Sequence, residues 1–224
     1  TGAVIGSNTL KRAAALAIHN GGKCTVNAGT FELVKDAASY EGDCDGWYTV
    51  ANEGTLTIND GTFVGRQPTG DGSSMIKSGW YDGNATTVNS NDLQAHAENA
   101  EAILTINGGL FKFGLNTVKN DDYGLLSITG GTFSNTTQAV VMNNNIATID
   151  GGVFKASKQV IIPAKYNDTS NKGITNINGG TFEVVEGYYI VEMNTAYNVT
   201  LGEVNVKAGA VEGPIVGFKS GVVP

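Results

Sequence analysis

Leu104-Thr105-Ile106-Asn107-Gly108-Gly109-Leu110-Phe111 is one of seven versions of a single eight-residue phrase. The others start at Cys24 (CTVNAGTF), Leu56 (LTINDGTF), Leu126 (LSITGGTF), Ala147 (ATIDGGVF), Thr175 (TNINGGTF) and Val204 (VNVKAGAV). Positions one and three are mostly apolar around a polar second position, which is the period-2 pattern of a half-buried strand. Position four is usually Asn or Asp, position six is Gly in all seven copies, and position eight is Phe in six. Asn and Gly tolerate a left-handed backbone, so a sharp bend is expected there, followed by a short extended piece that turns the Phe inward.

Spacing decides the type of repeat. The eighth positions are Phe31, Phe63, Phe111, Phe133, Phe154, Phe182 and Val211, separated by 32, 48, 22, 21, 28 and 29 residues. Insertions lengthen a unit but cannot shorten its framework, so the floor of 21–22 residues sets the unit. A second apolar run lies between phrases, as in Ala15-Leu16-Ala17-Ile18, Tyr48-Thr49-Val50-Ala51-Asn52, Ala139-Val140-Val141-Met142-Asn143, Val160-Ile161-Ile162 and Tyr189-Ile190-Val191. Three short strands and three bends fill about 21 residues, one lap of a three-sided parallel solenoid. A propeller blade needs about 40–45 residues, and a leucine-rich repeat needs a Leu/Asn framework that is absent. The expected fold is all-β, a single-domain parallel β-helix over residues 1–224 with about seven three-strand laps, roughly 34 Å long at ~4.8 Å per lap. Parallel crossovers are overwhelmingly right-handed, and that hand is expected here.

Stacking the laps predicts an internal column of six Phe rings beside rows of Ile/Val and Leu. It also brings Asn27, Asn59, Asn107 and Asn178 to one corner, where amides can bond from lap to lap and Thr129, Asp150 and Lys207 are expected to interrupt them. Residues 1–23 read as a cap leading into a first strand, 24–211 as the repeats, and 212–224 as the end of an excised or longer chain. The chain starts at Thr1 without a leader, and so reads as a mature product or a piece of something larger.

The formal net charge is −7 with two Arg, which argues against a nucleic-acid partner. No run of 18 apolar residues occurs, so no membrane-inserting helix is expected. Cys24 occupies an apolar position of its phrase, which favours a small buried hydrophobe, with a bridge to Cys44 as the other reading.

Function is expected on the insertions. Residues 34–47 and 67–102 hold both tryptophans, and Tyr40, Trp47, Tyr48, Trp80, Tyr81 and Asp82 form a candidate aromatic platform for a sugar. The competing reading packs these rings against the rod. Glu41, Asp43 and Asp45 offer a calcium site, although the further ligands of an EF-hand loop are missing and solvated loops share the pattern. Residues 91–102 suggest a short surface helix, and Asn120-Asp121-Asp122 reads as a bend. Glycosidases of this architecture need paired carboxylates on one sheet, yet the outward second positions are Thr25, Thr57, Thr105, Ser127, Thr148, Asn176 and Asn205. No catalytic residue is assigned, and a lone His19 or His96 is more often structural.

The tandem I-N-G-G-T-F units resemble repeats of large adhesin-like surface proteins of gut Gram-positive bacteria, and the lap length resembles the pectate-lyase-like class. The first resemblance covers roughly residues 24–211 and implies a right-handed β-helix at the cell surface. No lyase motif accompanies it. The resulting expectation is a non-catalytic extracellular stalk or adhesin module, without a cofactor unless calcium binds, whose partner is a surface glycan or a host or cell-surface protein. The alternatives are a carbohydrate-active enzyme using the 34–47 and 67–102 loops, and a phage tail-fibre or self-assembling subunit that associates end to end.

Overall fold

A computed structural model of the chain describes residues 4–6, 14–32, 48–65, 73–80, 93–94, 96, 100–163, 173–194, 202–211 and 216–219. These form 22 short strands in three sheets, and every strand pairing is parallel. Neighbours in a sheet come from successive laps, so the fold is a parallel β-helix. Among the described residues there is no helix.

The first sheet, the motif sheet, takes positions one to three of every phrase: Lys23–Val26, Thr55–Ile58, Ala102–Ile106, Gly124–Ile128, Ile146–Ile149, Ile174–Ile177 and Glu203–Val206. The phenylalanine sheet follows the bend, from Thr30–Glu32 to Thr181–Val184, and Val4–Gly6 adds a strand at its first edge, placing Ile5 in register with Phe31. The return sheet runs Leu16–Ile18, Val50–Asn52, Ile76–Ser78, Asn116–Asn120, Ala139–Asn143, Gln159–Pro163, Val191–Asn194 and Val216–Lys219. Ile76–Ser78 and Asn116–Asn120 carry a lysine mid-strand, which hides them from a search for apolar runs.

The six Phe rings lie one above another, as the spacing predicts. Centroids of neighbouring rings are 4.6–5.0 Å apart and tilted by no more than 8°. The strand spacing imposes this stack, because each Phe pairs in register with the next. The bend beneath each ring takes a left-handed backbone at its sixth-position glycine and is tightly packed. Gly109 has φ +108°, and a Cβ there would sit 3.0 Å from the Gly61 carbonyl and 3.2 Å from its own lap's Phe111 ring. Ile58, Ile106, Ile128 and Ile149 form the adjoining buried row, and Val50, Ile76, Val118, Val141 and Ile161 close the core from the return sheet. Cys24 carries a free thiol and packs half-buried against this core.

Two asparagine ladders run along the rod. At the motif-sheet corner Asn59 donates to Asn27 (2.8 Å) and Asn107 donates to Asn59 (2.9 Å). Thr129 extends this ladder by one lap, its hydroxyl donating to Asn107 Oδ1 at 2.9 Å. The ladder breaks between Thr129 and Asp150, as expected, and Asp150 starts a second segment by accepting from Asn178 at 2.8 Å. The second ladder is internal, where the return sheet meets the motif sheet. There Asn52 donates to Ser78, Asn120 to Asn143, and Asn143 to Thr175, and each of the three amides also caps a carbonyl of the following bend or of the next lap. These amides are completely buried, and their bonds go to backbone carbonyls at the start of the motif-sheet strands.

Candidate functional site

The sequence-based platform divides between what the structure describes and what it does not. Tyr40, Glu41, Asp43, Asp45, Trp47, Tyr81 and Asp82 lie outside the described residues, as does half of the 91–102 segment read as a surface helix; its described half is not helical, and Ala102 starts a strand. Tyr48 is 7% exposed and Trp80 only 1%. The Trp80 indole stacks on the His96 ring (centroids 3.8 Å, 6°) and on Tyr123 (4.8 Å, 12°). A ligand would therefore meet what covers Trp80 before it met the ring.

Trp80 marks a larger assembly on the outer face of the return sheet. Strand alternation sends Ile76 into the core and Lys77 outward, yet Lys77 is completely buried. A buried ammonium must be paired, and its counter-ion is Glu53, in the bend after Val50–Asn52. Lys77 Nζ lies 2.7 Å from Glu53 Oε1, and both side chains are 0% exposed. The same Oε1 accepts the Leu93 backbone N–H at 2.7 Å. Oε2 sits 3.2 Å from His96 Nε2, off the hydrogen-bond line but in ionic contact whenever the imidazole is protonated. One carboxylate thus joins the bend that bears it, the next return strand and the inserted segment around 93–96.

A second tier lies one lap on. Lys119 is in register with Lys77 and pairs with Asp121 at 2.8 Å. Asp121 also accepts from Asn144 Nδ2 at 3.0 Å, and its backbone N–H donates to Ser78 O. Asp122 is buried beside it, and its backbone carbonyl accepts from the Trp80 backbone N–H at 3.1 Å. The bend is tight: Tyr123 takes φ +61°, and at Gly79 (φ +94°) a Cβ would lie 2.4 Å from Asp122 O. Asn120 ends the return strand, and Asp121-Asp122 make a buried turn with a structural ion pair. The signal available in sequence was the repeated lysine in return strands next to acidic bends.

Chemically, this assembly holds charges in place. Lys77, Glu53 and Asp121 are closed off from solvent and Lys119 nearly so, each held by an opposite charge. Among the described residues no group of three or more His, Cys, Asp or Glu is placed to hold a metal ion. A shallow, open groove does run along the corner between the motif and phenylalanine sheets, lined by Gly29, Asp60, Gly61, Thr62, Gly109 and Leu110.

The motif sheet presents the opposite kind of surface. Its outward residues form three in-register columns. The first runs Lys23, Thr55, Ile103, Leu125, Ile146, Ile174, Glu203. The second is the Thr/Ser/Asn column from Thr25 to Asn205, and the third is the corner ladder. Ile103 and Ile146 are 39% and 40% exposed. Between the end laps the only charge on the three columns is Asp150. Comparison with protein-family models, with curated proteins and with solved structures finds no match to this chain.

Proposed function

We propose that the chain is a non-catalytic extracellular β-helix stalk or adhesin module that presents its inserted segments to a surface glycan or a host or cell-surface protein. The observation that carries this reading is how the described ionisable groups are used. Around Trp80, Lys77 and His96 lie against Glu53 and Lys119 against Asp121, and Glu53 ties Leu93 and His96 of the inserted segment to the rod. A rigid rod with a fastened insertion suits display, because a segment held before binding loses less entropy on binding. The repeat resemblance to adhesin-like surface proteins supports the same location at the cell surface.

The test has two arms. Incubation with neutral and acidic polysaccharides is expected to release no oligosaccharide; released sugar or unsaturated ends would replace this reading with a carbohydrate-active enzyme. Glycan-array binding is expected to fall at least tenfold in Trp47→Ala and Tyr81→Ala variants, whose side chains belong to the sequence-based platform. Unchanged binding by both would remove the platform.

A further inference from the structure

The outer face of the motif sheet is self-complementary, and we propose that it pairs with the same face of a second copy of this chain, the two rods antiparallel. This inference goes beyond the display reading and does not depend on it.

The argument starts from the first outward column. Ile103, Leu125 and Ile146 stand on consecutive laps, and Ile103 and Ile146 are two of the four large hydrophobic side chains exposed among the described residues. The column ends in opposite charges, Lys23 on the first lap and Glu203 on the seventh. Two copies can lay this face against itself about two kinds of two-fold axis. An axis along the rods would set the apolar column against the partner's amide ladder and place Asp150 opposite Ile146. An axis along the strands sets each column against itself with the laps reversed. Leu125 then meets its own counterpart on the axis, Ile103 meets Ile146, Lys23 meets Glu203, and Asp150 meets the Asn107 amide. No like charges meet, and every contact off the axis is made twice, as an isologous interface requires.

The preformed bonds of the corner ladder hold its amides in place beforehand, which lowers the ordering cost of association. Seven laps of three columns cover roughly 30 by 20 Å, or roughly 1,200 Å² over both copies, the lower edge of specific interfaces. The expected dimer is therefore weak and concentration-dependent.

Sedimentation velocity over a concentration series tests it on the intact chain. The wild type is expected to show a reversible monomer–dimer equilibrium. Lys23→Glu and Glu203→Lys should each weaken it about tenfold, because each creates two like-charge pairs, and the double variant should recover it. Leu125→Glu, which would face itself, should abolish the dimer. With Cys24→Ala and Cys44→Ser in place, a short bismaleimide should link Ser127→Cys to itself on the axis but not Thr57→Cys, which lies two laps from it. That readout holds even where Leu125→Glu does not fold. A concentration-independent monomer overturns the proposal, as does a dimer indifferent to these substitutions. A monomer that instead binds a glycan through Ile103 and Ile146 overturns it in favour of a ligand surface.

Discussion

Two outer faces of the same rod use their residues in opposite ways. On the return sheet Lys77 points outward and is completely buried, while on the motif sheet Ile103 and Ile146 point outward and are about 40% exposed. Strand alternation fixes which side chains leave the core, but it does not fix what they meet outside. Beside Lys77 the return sheet carries the inserted Leu93 and His96, and its outward lysines take counter-ions from the bends. The motif sheet passes from bend to bend with no inserted residue in any lap, so its outward residues meet water and its neutral columns continue along the rod. In this solenoid the insertions decide the chemistry of a face more than the repeat does.

The largest expected effect tests the covered face. Glu53→Ala leaves Lys77 buried without its main counter-ion and releases the Leu93 N–H, which should cost about 3–5 kcal/mol in denaturant unfolding. The double substitution Glu53→Leu with Lys77→Met should recover much of that loss, because a buried pair replaced by packed apolar groups is often neutral. If the single change costs under 1 kcal/mol, the covered face is not held by this pair.

Next in size is a contrast between the two ladders. Asn120→Ala strips hydrogen bonds from Asn143 and from the Gly124 and Ile146 carbonyls in a dry interior, and is expected to cost about 1–3 kcal/mol. Asn59→Ala breaks the same kind of amide bond in water and should cost about 0.5 kcal/mol or less. Equal costs would mean that burial does not separate the ladders. The smallest effect belongs to the open surface. Lys155 and Glu183 pair at 3.0 Å with more than half of each side chain exposed, so Lys155→Ala should shift stability by about 0.5 kcal/mol or less. Thermal melts in low and high salt would check it.

The repeat made two of the three sheets legible, because their geometry is written in residues with few alternatives. Glycine recurs where a Cβ would strike the neighbouring lap, and phenylalanine recurs one ring per lap. The return sheet was only half legible. Val50–Asn52 and Ala139–Asn143 read as apolar runs, whereas Ile76–Ser78 and Asn116–Asn120 did not, since Lys77 and Lys119 are buried by residues distant in sequence. The expected interruption of the corner ladder falls between Thr129 and Asp150, because the Thr129 hydroxyl donates to Asn107 and Asp150 can only accept, which it does from Asn178. Trp80 was visible as a candidate ligand residue, but its stacking on His96 and Tyr123 depends on how an insertion folds back, which no local pattern encodes.

Lysine-selective acylation of the native protein, read peptide by peptide by mass spectrometry, tests the contrast between the faces most directly. Lys155 should label rapidly and Lys77 hardly at all, and Lys77 should become reactive in the Glu53→Ala variant. Labelling of Lys77 in the wild type at the rate of Lys155 would contradict the account, because the return sheet's outer face would then be open to water.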